Sequence, residues 1–173
     1  GDFSLSLGAW GSKSLMSPHY NELDLSVGAT WKQFGLTLTD YYDFSYGYLP
    51  YNEGHSLDVG LTYTVSEALP LTLSCNGLVL GNRYGDDLPL YIQLAYDFSI
   101  WEIDLGVVAG GVPMKSEYYE TDQADFVNLG ISAGHEFEFG SCTLPVSVQY
   151  NYNPSHDEHF FGGGIGFYFS TGL

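Results

Sequence analysis

The chain has 173 residues, with four Lys+Arg against 21 Asp+Glu, a net charge of −17, and 17% aromatic residues. Only 14% of residues are charged, against about 25% in typical globular chains. So few cations exclude a nucleic-acid role, because nothing neutralises phosphates, and exclude docking on an anionic membrane surface through basic residues. No run of 18 apolar residues exists, so no transmembrane helix is expected. The start at Gly1-Asp2, inside a strand-like pattern, reads as a mature or trimmed product. The two cysteines, Cys75 and Cys142, make no disulfide framework and read as small half-buried residues.

Apolar residues recur at a period of two almost throughout, which predicts strands. Residues 2–12 carry Phe3, Leu5, Leu7 and Ala9 against Ser4, Ser6 and Gly8. In 21–44, Leu23, Leu25, Val27 and Ala29 alternate with Asp24, Ser26, Gly28 and Thr30; after a turn at Lys32-Gln33, Phe34, Leu36 and Leu38 alternate with Gly35, Thr37 and Thr39. The same alternation marks 55–66, 69–80, 88–100, 101–112, 125–139, 141–152 and 160–171, giving ten strands in one domain spanning 1–173. No apolar stripe of helical spacing and useful length is present.

Connections alternate strictly between short turns (32–33, 66–69, 99–101, 139–142) and longer loops (13–20, 45–54, 81–87, 113–124, 153–159). All short turns then fall at one end of the sheet and all long loops at the other. An even strand count with that asymmetry predicts an all-β fold: a closed antiparallel transmembrane β-barrel of the bacterial outer membrane, with short periplasmic turns and longer extracellular loops. The polar face carries Ser, Thr, Gly, Asn, Gln and acids, while Lys13, Lys32, Arg83 and Lys115 all lie in loops or turns. Surface strands of soluble sheets use Lys for solubility, so the polar face is expected inside and the apolar face against lipid. Trp31, Phe34, Trp101 and Phe169 gather near the short turns as interface aromatics, and Tyr20, Tyr150, Tyr152 and Phe161 near the long loops.

The stretch LSLGAWGS, followed by ELDLSVGATW and FGLTLTDYYDF, resembles the TorF-like porins of Gram-negative bacteria. Those chains show a Gly-x-Trp-Gly-Ser strand, here Gly8–Ser12, then an acidic strand and a Gly-Leu-Thr return strand. The family begins with an earlier aromatic-x-Arg-Gly element that has no match here, so the resemblance implies either a ten-stranded member or a twelve-stranded barrel lacking two N-terminal strands. The function it implies is porin-like.

By parity, Asp24, Asp43, Asp58, Asp97, Asp104, Tyr41, Tyr91 and Tyr168 line the lumen. An acidic lining without strand Lys or Arg attracts cations and repels anions; ten strands enclose little space, and the inward tyrosines favour a plugged or very narrow interior. His156-Asp157-Glu158-His159 matches no closed metal motif. Asp157 and His159 resemble the Asp-x-His pair of the omptin outer-membrane proteases, but this chain is too short to raise their cleft. No catalytic residue, metal or cofactor is therefore expected. The Tyr-rich loops 46–53 and 118–125 are expected outside, as recognition surfaces or as ordinary interface aromatics. The expected surroundings are outer-membrane lipid, and the alternative function is a non-conducting structural or interaction barrel within an outer-membrane complex.

Overall fold

The structure, a computed structural model, describes residues 2–13, 21–45, 54–81 and 88–169. These form one antiparallel sheet. Ten strands follow one another in chain order: β1 Phe3–Lys13, β2 Asn21–Trp31, β3 Phe34–Asp43, β4 His55–Thr64, β5 Leu71–Leu80, β6 Leu90–Ile100, β7 Ile103–Val112, β8 Asp125–Phe139, β9 Cys142–Asn153 and β10 Glu158–Ile165. A two-residue element, β11 Tyr168–Phe169, also pairs with β9, in the register that β10 sets. The split between β10 and β11 falls opposite Pro145. Gly166 N–H donates to the Pro145 carbonyl at 2.9 Å, but Pro145 has no N–H to return the bond, so the ladder lapses there.

The short turns are tighter than the pattern of side chains suggests. Trp101 and Glu102 are turn residues between β6 and β7, and Trp101 has φ 57°. Lys32 has φ 55° in the β2–β3 turn, and the β8–β9 turn uses Gly140 at φ 64°, where a missing Cβ removes the strain. The ladders of β4–β5 and β7–β8 shift register near the long-loop end, between Leu57 and Asp58 and between Gly110 and Gly111.

The burial is inverted relative to a water-soluble sheet. In β2, Leu23, Leu25 (51% exposed) and Val27 are exposed, whereas Asp24 and Ser26 are half-buried and Gly28 is buried. In β3, Phe34, Leu36 and Leu38 are exposed beside half-buried Gly35, Thr37 and Thr39. Among the described residues the only buried hydrophobic side chains are Val112 and Val127, and none is a large, fully buried one. The buried polar residues are Asp58, Ser116 and Thr121. The sheet thus gathers small and polar groups on its covered face and leaves its apolar face open.

No ladder joins β1 to β10, so the sheet is open along that edge. There even the polar side of β1 is exposed, and Leu7 on its apolar side is 88% exposed. The strands are staggered. A line followed across the ladders from Phe3 beside the Lys32–Gln33 turn passes Phe34, Leu73, Ala109 and Tyr152 and reaches His159 at the long-loop end. Phe169, which pairs with Cys142 beside the other outermost short turn, lies 169 − 159 = 10 residues further along. With a rise of about 3.3 Å per residue and about 4.8 Å between strands, a sheet closed with a stagger of ten residues over ten strands would tilt by about 35°.

Candidate functional site: the polar face and the loop that covers it

Of the residues expected to line the lumen, Asp24, Tyr41, Asp43, Asp58 and Tyr91 lie on the covered, polar face, while Asp97, Asp104 and Tyr168 share its parity but are exposed. Asp24 on β2 and Tyr41 on β3 are register partners, both half-buried. Asp58, one strand further, is 7% exposed and accepts a hydrogen bond from Asn76 Nδ2 at 3.0 Å. Tyr41 lies within electrostatic reach of Asp58, Asp24 and Glu22, and Glu22 and Asp24, two residues apart on one face, share a side-chain hydrogen bond. Asp43 is half-buried at the end of β3 and accepts from Ser45 N at 2.9 Å. These acids gather at the long-loop end of β2–β4.

Asp97 and Asp104 occupy the opposite end and are exposed. Ser99 Oγ donates to Asp104 Oδ1 at 2.6 Å. Glu102, Glu136 and Glu138 share a polar cleft of about 520 Å³ with Asp104 and His135. Among the described residues no group of three or more His, Cys, Asp or Glu is arranged to hold a metal ion. Tyr168 is exposed, as is expected beside the open edge. Trp31 and Phe34 oppose each other beside their turn and are both exposed, and the Phe34 ring lies 5.0 Å from that of Tyr63. Trp101 is 93% exposed at a turn tip. Phe169 pairs with Cys142. Cys75 and Cys142 are free thiols, both half-buried.

Near the long-loop end of the polar face stands Tyr91 on β6. Its hydroxyl donates to Gln93 Oε1 at 2.8 Å and accepts from Asn128 Nδ2 on β8 at 3.2 Å. It spans β7 to make the second bond, and Gly110 leaves the room: a Cβ there would run into the Tyr91 ring and hydroxyl.

The loop between β7 and β8 departs from the sequence-based expectation. It was expected outside; it folds over the polar face instead. Ser116 and Thr121 exchange two backbone hydrogen bonds, 3.0 and 2.9 Å, and are 3% and 5% exposed, among the most buried residues of the chain. Between them Glu120 takes φ 53°. The Tyr119 ring stacks 5.8 Å from Tyr91 and meets Tyr118 edge-on at 4.9 Å. Burial pushes the Tyr119 hydroxyl above the ordinary tyrosine range, and Tyr118, Tyr91, Asp58 and Tyr41 push it the same way. A loop leaving β7 therefore lies against β6 and within electrostatic reach of groups on β3 and β4. Sequence reasoning missed Tyr119, Ser116 and Thr121 because a Tyr-rich loop reads equally well as an interface. The available signal was the compact Ser-Glu-Tyr-Tyr-Glu-Thr stretch, which can close on itself through small hydroxylated ends.

The chain matches no protein-family model, no curated protein and no solved structure.

The Asp157 and His159 pair lies where the β9–β10 turn enters β10. His159 Nε2 lies 3.9 Å from Asp157 Oδ1, with both side chains largely exposed. Tyr150 and His159 Nδ1 are hydrogen-bonded at 2.7 Å, Tyr152 stacks on His159 at 4.9 Å, and Phe161 lies 4.9 Å from Tyr150. These rings stand together on the apolar face at the long-loop end. The expected features at Tyr20, Arg83 and loop 46–53 fall outside the described residues.

Proposed function

We propose that this protein is a small β-barrel of the bacterial outer membrane with a porin-like, acidic and narrow bore. The observation that carries this reading is the inverted sheet: an open apolar face over a polar face that is covered from within. In water that apolar face would be a very large exposed patch; in hydrocarbon it is the favourable orientation. The aromatic groups at both ends, Trp31 with Phe34 and Tyr150 with Phe161, fit interfacial belts. The resemblance of Gly8–Ser12 and the following hairpin to TorF-like porins points to the same class.

A barrel in lipid must be closed, because an open edge leaves backbone groups unpaired. Two features favour closure of β1 on β10. The strands run in opposite directions, as alternation over ten requires, and a closing stagger of ten would give a tilt near the lower end of the usual range, about 35–45°. Keeping apolar residues together on one side permits only even offsets. A total stagger of ten places Leu7 opposite Ile165, and twelve places it opposite Phe167.

The second reading, a non-conducting structural or interaction barrel within an outer-membrane complex, is favoured by the loop lying across the polar face. No enzymatic role or cofactor enters either reading. Refolding into phosphatidylcholine vesicles tests the barrel: a heat-modifiable gel band is expected, and a monomeric, detergent-free soluble protein would rule the reading out. Planar-bilayer recording separates a passage from a sealed barrel.

A further inference from the structure

We propose that residues 113–124 form the constriction of the bore, with Tyr119 between Tyr91 and Asp58 as its narrowest point, and that small cations pass when this loop is displaced. The proposal rests on the barrel reading above and adds what controls passage and what passes.

Three observations carry it. The loop supplies two of the three buried polar residues of the described chain, Ser116 and Thr121, with Tyr119 half-buried between them while Glu117, Tyr118 and Glu120 are exposed. It bridges the interior: Tyr119 stacks on Tyr91 of β6 and lies near Asp58 of β4 and Tyr41 of β3. And its ion pair to the wall is a surface one. Its ion pair to the β9–β10 turn, His156 Nε2 to Glu120 Oε2 at 3.8 Å, has Glu120 82% exposed, and such surface pairs contribute little. The Ser116–Thr121 bridge lies within the loop, so the loop can move as a unit without breaking it.

The ligand class follows from what faces the passage. Carboxylates and tyrosine rings attract a cation, the first by charge and the second through the ring face. The polar face of the described strands carries no Lys or Arg to hold an anion. A cation moving from Asp24 past Asp58 and Tyr119 towards Asp104 meets negative charge at both ends and neutral polar groups between.

The test uses the purified full chain refolded in vesicles and then in planar bilayers under a KCl gradient. Wild type is expected to conduct little. A variant with residues 116–121 replaced by Gly-Ser-Gly, and separately Tyr119→Ala in the intact loop, are expected to conduct several-fold more, with a reversal potential showing K+ preferred over Cl−. Adding Asp58→Asn to either is expected to weaken that preference. If both variants give the heat-modifiable band yet conduct no more than wild type, or if the opened bore prefers Cl−, the proposal is overturned while the barrel stands. If wild type never gives that band, the barrel reading itself fails, and this inference with it.

Discussion

Placing one lysine at Val27 separates lipid from water as the medium on the apolar face. Val27 lies on β2 opposite Leu7 and Leu38, and is 45% exposed. Four residues separate it from Trp31 at the aromatic end. At about 3.3 Å per residue and a tilt of about 35°, Val27 sits about 11 Å inside that belt. The apolar band of such barrels is about 25 Å tall, so Val27 is near the midplane. A lysine at that depth destabilises by about 2–4 kcal/mol. At about 1.4 kcal/mol per factor of ten, the folded-to-unfolded ratio falls about 30-fold to several-hundred-fold. Phe34→Lys, beside the short turn, is expected to lose only about 0–1 kcal/mol. On a face in contact with water both changes would fall within about 0.5 kcal/mol. Guanidinium unfolding in short-chain phosphatidylcholine vesicles, followed by tryptophan fluorescence and checked by folded and unfolded gel bands, reads the difference. Equal stability of Val27→Lys and wild type in those vesicles would refute the orientation.

Other outcomes follow from the same geometry. Gly110→Ala is expected to destabilise by about 1–3 kcal/mol through overpacking against Tyr91; in a Tyr91→Ala background the penalty should vanish, and a penalty that persists there would mean the backbone at Gly110, not the ring, is responsible. The raised pKa of Tyr119 means its neutral form is favoured in the folded state. Its contribution is therefore full below pH about 10, the ordinary tyrosine value, and is lost as pH rises through the higher folded value. In an alkaline absorbance titration, Tyr119→Phe should remove a late-titrating phenol; loss of an ordinary one would place Tyr119 in water. With Cys75 and Cys142 replaced by Ser, Leu7→Cys should form a disulfide with Ile165→Cys or Phe167→Cys, since directly opposed residues fall within disulfide reach. Ser6→Cys with Ile165→Cys, on opposite faces, should not; failure of both Leu7 pairs in a heat-modifiable protein would show that another strand occupies the seam.

Much of the sheet was legible because its signal is local. Leu23, Leu25 and Val27 alternate with Asp24, Ser26 and Gly28 however the chain folds elsewhere, and the two-residue spacing at Lys32-Gln33 sets the hairpin register. Asp58 and Tyr91 were placed on the polar face by parity alone, and both lie there with polar partners. Parity does not carry across a long loop. The stagger between β5 and β6, or between β7 and β8, depends on how many residues each loop absorbs, so the line from Phe3 to His159 follows only from the paired residues. The break after Ile165 could have been anticipated only by knowing that Pro145 lies opposite Gly166. The inward course of 113–124 is set by the fit of Tyr119 against Tyr91, a contact between residues 28 apart (119 − 91), and no periodicity encodes it.

The orientation of the β2–β3 hairpin is the claim on which the rest depends, and spin-label accessibility tests it most directly. Single cysteines replace residues 23 to 30 in turn, in a background lacking Cys75 and Cys142, and each variant is labelled after refolding in vesicles. Oxygen, which concentrates in hydrocarbon, should broaden the labels at Leu23, Leu25, Val27 and Ala29, while a water-soluble nickel complex should reach those at Asp24, Ser26, Gly28 and Thr30 more readily. The opposite phase, or accessibility with no period of two, would contradict the account.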